Sequence, residues 1–320
     1  MTGPEGDLEL VRSVAMRLRN GVVPLLGARK AREHAGRAGA EAGDVTFAID
    51  AEAERLLAAH IADEAPEVAY YSEDRGLVVP EGGASTVLVV DPVDGTRPAL
   101  AGLESCCVSV AAAPLSDWVT LGEVTAACVV EIPSGAVFLA GRGRGVVESP
   151  PVALSATERV DRMLWAYGLR GRPARPTVEV LAELIDASSV GGACFELGSA
   201  AFDMTRVLCG RLDAYVEPGP RLVEEVPGMR ADFERVGGGA VLNNSPYDVA
   251  AAALCLSEAG ALVTDARGAS LDDRPLLGSD ADHQISVVAA GNARLHQLLV
   301  EAVDAGIERL RRRANEGGGV

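Results

Sequence analysis

The segment Asp91-Pro92-Val93-Asp94-Gly95-Thr96 combines residue types and spacing that could do chemistry. Two carboxylates three residues apart, with a backbone carbonyl between them, can converge on one hard cation, and an all-oxygen ligand set favours magnesium over softer metals. Pro92 fixes its own φ and has no N–H, while Gly95 and Thr96 can offer backbone N–H groups to an anion beside the cation. The same residues also punctuate ordinary turns after strands, so the segment alone leaves both readings open. Upstream stand Glu73, in Tyr71-Ser72-Glu73-Asp74, and Asp50, which ends Asp44-Val45-Thr46-Phe47-Ala48-Ile49-Asp50. Taken singly, Asp50 and the downstream Asp248 read as caps of the helices that follow them, and Glu73 as a loop charge.

Three further segments follow in order. They are Leu197-Gly198-Ser199-Ala200-Ala201-Phe202-Asp203, then Cys209-Gly210-Arg211-Leu212-Asp213-Ala214-Tyr215-Val216-Glu217, then Tyr247-Asp248-Val249-Ala250-Ala251. Beyond them lies Glu258-Ala259-Gly260-Ala261-Leu262-Val263-Thr264-Asp265. From about residue 8 to about residue 300 the ordered set resembles the inositol monophosphatase family. That family comprises magnesium-dependent, lithium-sensitive phosphatases and groups with fructose-1,6-bisphosphatases and 3′-phosphoadenosine-5′-phosphate phosphatases.

The resemblance implies a phosphoric monoester hydrolase that cleaves a small sugar or cyclitol phosphate with metal-activated water. It makes Glu73, Asp91, the Val93 carbonyl, Asp94 and Asp248 the ligands of two to three magnesium ions, with manganese able to substitute. It places Glu73, Thr96 and Asp50 around the attacking water. It assigns substrate contacts to Asp94, Gly95, Thr96, Gly198, Ser199, Ala200, Glu217 and Asp248. It also implies a layered αβαβα sandwich, commonly a homodimer. Electrostatics agrees with the metal: neighbouring carboxylates ~4 Å apart repel by about 4 kcal/mol per pair at an effective dielectric of ~20. Such a cluster needs divalent ions before it can attract a phosphate.

Some positions depart from the family pattern. Tyr247 stands where a Trp is usual, Pro98 where an Asn is frequent, and Phe195 where an Arg is expected. The turn after Glu217, short in the family, is an insertion at about 219–246 that contains Gly237-Gly238-Gly239 and mixed charges. A lid closing over the alcohol portion of the substrate, a dimer contact and a solvated excursion all fit that composition. A bisphosphatase or nucleotide phosphatase is the alternative activity, for which Arg170, Arg172 and Arg175 form either a second phosphate site or a solvated basic loop. A non-catalytic paralogue acting as a binding protein is the other class, and it is weakened because every acidic ligand position is filled.

The elements that must position these residues show in the periodicity. Leu8–Leu18 and 52–61 carry apolar residues at helical spacing, and Thr86–Val90 is a β-branched run ending in the breakers Asp91-Pro92. Strand patterns continue at 106–113, 121–131 and 136–140, giving residues 1–150 an α+β character. Glu148-Ser149-Pro150-Pro151 is the candidate boundary. Beyond it, residues 151–320 alternate strand and helix patterns, at 163–167, 177–185, 200–208, 214–217, 249–259, 284–290 and 295–312, as in an α/β portion.

Composition excludes other classes. In 320 residues, 48% are hydrophobic and 23% charged, a globular balance. Lys and Arg number 29 against 46 Asp and Glu, a net charge of −17, which argues against a nucleic-acid duplex as partner. The six cysteines sit in apolar settings and read as buried thiols, and the four histidines are too scattered for a zinc site. The opening residues lack a basic, then apolar, leader and no apolar run approaches the ~18 residues of a membrane span, so a cytoplasmic protein is expected.

Overall fold

A computed structural model describes residues 4–37 and 45–317; Asp44 and the first three residues lie outside them. Helix α1 (Pro4–Val22) leads through a ribbon of β1 (His34–Arg37) and β2 (Val45–Phe47) into α2 (Ala48–Glu64). A seven-stranded sheet follows, from β3 (Ala69–Ser72), β4 (Gly76–Val78) and β5 (Thr86–Asp94), past the short helix α3 (Thr96–Ala101), to β6 (Cys107–Pro114), β7 (Ala126–Glu131), β8 (Val137–Gly141) and β9 (Gly145–Glu148). Its strand order is β4-β3-β5-β6-β7-β8-β9.

The chain then forms β10 (Leu164–Tyr167), α4 (Ala174–Ser188), β11 (Ala193–Phe195), α5 (Ala200–Leu208), β12 (Ala214–Glu217), α6 (Gly219–Glu225), α7 (Met229–Val236), α8 (Pro246–Glu258), β13 (Leu262–Thr264), β14 (Val287–Ala290) and α9 (Ala293–Gly317). Five of these strands make a second sheet in the order β11-β10-β12-β14-β13.

Strand alternation explains the layering. On β5, Leu88 and Val90 face α1 and α2, whereas Val87 and Val89 face α5 and α8. A strand covered on both faces needs a continuous apolar run, and Thr86–Val90 supplies one. On the second sheet Ala166, Tyr215 and Ala289 turn towards α5 and α8, while Trp165, Val216 and Val288 turn towards α4, α6, α7 and α9. Helices, sheet, helices, sheet and helices therefore stack as the expected αβαβα sandwich.

Three local readings are corrected. Leu121–Glu123 is a 3-10 turn, so that strand starts at Ala126. Cys194 and Cys209 are half-buried rather than core thiols. The segment after Glu217 is not a solvated excursion: α6 and α7 bury Leu222, Val226 and Phe233 in the same apolar cluster as Leu299 and Val303 of α9. Its mixed charges misled because polar faces dominate short helices that bury only one or two side chains each.

Candidate metal centre and active site

The strand at Thr86 does not end at Val90 but runs through the acidic motif to Asp94. Asp91 pairs with Ser109 and Asp94 with Cys107, so three steps on β5 oppose two on β6. This is a one-residue bulge. In a regular strand residues three apart point to opposite faces; the extra residue brings both carboxylates to one side. The bulge is held by the Val93 N–H, which donates to Asp91 Oδ1 at 2.9 Å. Gly95 then starts α3 with φ +89°, and a Cβ there would sit 2.5 Å from the Ser105 carbonyl oxygen, so both conformation and space demand glycine.

The third carboxylate arrives from the other side of the sandwich. Asp248 lies in the first turn of α8, and its Oδ2 accepts the Ser245 N–H at 2.6 Å. Asp248 is thus not the N-cap of a helix that follows it, nor is Asp50: each is the third residue of its helix and accepts the N–H of the N-cap, Ser245 or Phe47, while carboxylate atoms of Asp91, Asp94 and Asp248 lie within 4.8 Å of one another. Asp50 does the same double duty on α2: Oδ2 accepts the Phe47 N–H at 2.9 Å and Oδ1 accepts the Thr96 hydroxyl at 3.0 Å. The Val93 carbonyl is 3.2 Å from that hydroxyl. Asp94 Oδ2 is fixed by the Ser199 hydroxyl at 2.8 Å and the Ala201 N–H at 2.7 Å.

Packing acids together out of water makes their ionisation costly. Burial, then the charges of Asp94, Glu73 and Asp248, pushes the Asp91 carboxyl well above the usual range. Burial and Asp248 raise Asp94 to about 7. Burial raises Asp248 to about 6, against the Ser245 N–H hydrogen bond. Asp50 is lifted to about 6 by burial, against the Phe47 and Thr96 hydrogen bonds. Each clustered carboxylate ties down one oxygen locally, and the set is all oxygen, which suits a hard divalent cation. Glu73, on the turn after β3, is close enough to raise Asp91 and lines a cavity of about 480 Å³ together with Tyr71, Tyr247 and Asp248.

The model of the inositol monophosphatase family matches residues 7–308. The chain belongs to the inositol monophosphatase family. It is 28% identical over 314 residues to the fructose-1,6-bisphosphatase/inositol-1-monophosphatase of Methanothermobacter thermautotrophicus, covering 94% of this chain and 99% of that protein. It is 26% identical over 268 residues to the Nus factor SuhB of Xylella fastidiosa, covering 83% and 84%. The Thermotoga maritima IMPase structure superposes with a TM-score of 0.69 at 19% identity, covering 95% of this chain and 98% of that one, a likeness of fold.

Within this inositol monophosphatase fold the remaining expected residues scatter. Gly198, Ser199 and Ala200, at the start of α5, line a small cavity with Asp94 and Asp248. Gly95 and Thr96 sit behind the carboxylates, with Thr96 buried. Glu217 is fully buried; it accepts the Gly219 N–H at 2.6 Å and pairs with Arg172 at 2.6 Å, and it lines neither cavity. Arg172 is buried and so not a solvated loop residue: it neutralises Glu217 and also donates to Asn244 at 3.1 Å. Arg175 is exposed and lines a separate groove with α7 and Leu310, whereas Arg170 lines both acidic cavities and Arg172 the smaller one.

Several residues escaped sequence reasoning. Glu54, buried on α2, accepts the Ser72 hydroxyl at 2.9 Å and pairs with Arg75 at 3.3 Å, so it braces the turn that presents Glu73. Asp203 is buried with one oxygen unpartnered, and it lines the cavity beside Asp94. Asn244 joins Arg172 to Tyr215, donating to the phenol at 3.0 Å. Nothing local marks Glu54 or Asn244, because each acts on a partner that is remote in sequence. Tyr247, in place of the usual Trp, stacks on Tyr71 with centroids 6.4 Å apart and helps seat α8.

Proposed function

We propose that the protein hydrolyses a small phosphomonoester, an inositol-monophosphate-like sugar or cyclitol phosphate, with magnesium as the required cation. The convergence of Asp91, Asp94 and Asp248 at the edge of a polar cavity carries this reading. Bound divalent ions supply the positive charge that a phosphate needs and lower the pKa of an attacking water. Asp91, Asp94, Asp248, Glu73 and the Val93 carbonyl are the groups of this chain that would hold them.

The rest of the work falls to orientation. A Thr96 hydroxyl that donates to Asp50 has its lone pairs free to accept from a water, and Glu73 on the adjoining turn is a second acceptor. Thr96→Ala is expected to lower kcat about tenfold to a hundredfold while changing KM much less. A change confined to KM makes Thr96 a binding residue instead. The Ser199 hydroxyl and the Ala201 N–H orient Asp94 beside the small cavity. Lithium inhibition and a cytoplasmic homodimer belong to the same reading; no helix among the described residues is long and apolar enough to cross a membrane.

Relatives named Nus factor SuhB motivate a second reading, a regulatory binding protein. A panel of phosphoesters assayed with magnesium and with chelator separates the two. Magnesium-dependent phosphate release from one ester supports the enzyme; no release from any ester overturns it.

A further inference from the structure

The cavity beside the carboxylate cluster is larger than one phosphate requires, and at about 480 Å³ it falls in the range of sites that enclose a whole small molecule. Glu73 and Asp248 form its inner wall, and its outer wall comes from the segment that follows Glu217: Arg230 and Glu234 on α7, then Gly239 to Asn243. That wall is anchored, because Phe233, between Arg230 and Glu234 in sequence, is fully buried in the third apolar cluster. Its inner side is part of the core.

Charge on the wall is uneven in a useful way. Among the arginines of α6 and α7, Arg221 pairs with Glu225 and Asp304, and Arg235 pairs with Asp232. Arg230 makes no ion pair or hydrogen bond among the described residues, not even with Glu234 one turn along. The other two arginines of the cavity have work elsewhere: Arg75 is held by Glu54 at 3.3 Å, and Arg170 lies near enough to Asp94 and Asp248 to hold their carboxyls down. The acids of the wall are similarly engaged, since Asp280 pairs with His283 at 2.7 Å, Asp74 accepts the Thr46 hydroxyl at 3.0 Å, and Glu73 and Asp248 belong to the cluster. Among the described charged residues that line the cavity, Arg230 and Glu234 are the two left uncommitted. An arginine fork matches a phosphate or carboxylate, and a neighbouring carboxylate accepts from hydroxyls.

We propose that Arg230 is a specificity residue that binds a second anionic group on a polyhydroxylated substrate, at the opposite end from the phosphate that is cleaved. Glu234 accepts from the hydroxyls between the two ends. This rests on the phosphatase reading and narrows its substrate class to doubly anionic esters, sugar bisphosphates or phosphorylated sugar acids. It also replaces Arg172 and Arg175 by Arg230 as the source of the second site.

The test compares the full-length protein with Arg230→Ala and Arg230→Lys on three esters: a hexose bisphosphate, a phosphorylated hexonic acid and the matching neutral hexose monophosphate. The preference for a doubly anionic ester over the neutral one, as a ratio of kcat/KM, should fall about tenfold in Arg230→Ala, mainly through KM, and recover in part in Arg230→Lys. Whether the bisphosphate or the sugar acid shows the fall identifies the anion. A readout without turnover comes from calorimetric titration of a non-hydrolysable bisphosphonate analogue of that hexose bisphosphate into the unaltered protein with magnesium, where Arg230→Ala should weaken Kd by a similar factor. Phosphate release with an unchanged preference and an unchanged Kd overturns the Arg230 site alone. No release from any ester by the unaltered protein overturns the phosphatase reading instead.

Discussion

Asp91→Asn, Asp94→Asn and Asp248→Asn should each lose phosphate release about a thousandfold or more, and yet each should melt at a higher temperature than the parent when both are kept in chelator near pH 7.5. The first half follows from removing a charge that a divalent cation must bind. The second follows from the hydrogen bonds. Asn can still accept from Val93 N–H at 91, from Ser199 and Ala201 at 94, and from Ser245 N–H at 248, so the fold keeps its local ties while one repelling charge disappears. A purely structural acid would show the opposite stability change.

The pH dependence has a definite sign. Asp94 and Asp248 have folded values of about 7 and about 6, above the ~3.9 of an unfolded Asp. Their contribution to stability is therefore fully present below about pH 4 and is lost as pH rises through 6 and 7. In chelator the melting temperature should fall across that window, and magnesium should restore it above pH 7, because the cation binds the ionised cluster. Undiminished turnover by any of the three variants, or a melting temperature indifferent to both pH and magnesium, would remove the metal reading.

Replacing residues 220–245 by a two-residue linker should leave no cooperatively folded protein, because it strips α6 and α7 from the outer layer and exposes the second sheet and α9. The milder probe is Phe233→Ala. Phe233 is fully buried, and truncating a buried Phe costs about 3–5 kcal/mol. Its thermal transition should drop by several degrees, since the aromatic ring faces the core and not the cavity. A mobile lid would behave in reverse: the shortened protein would fold normally and only its substrate ranking would move. A cooperative, near-parental melt of the shortened protein would mean that the segment is dispensable for the fold.

The elements and the acidic ligand positions were legible in one dimension because their signals are local. A β-branched run such as Thr86–Val90 between breakers has few alternatives to a buried strand, and stripes such as Leu295, Leu299 and Val303 have few alternatives to a helix against a core. The Asp-Pro-Val-Asp-Gly-Thr order states the ligand chemistry, and the seat at 95 can hold only glycine. Tertiary structure decided the rest. Asp91 and Asp94 share a face because pairing with β6 creates a bulge, and Asp248 joins them because α8 packs between two sheets. Glu217 is withdrawn from the cavity by Arg172, a residue 45 positions upstream. Arg230 reaches the cavity wall because Phe233 anchors its helix. Sequence fixes which groups are available within a few residues of chain. Which of them meet, and which neutralise one another before meeting anything else, depends on burial and on pairings between segments far apart in the chain, and these exist only once the layers have packed.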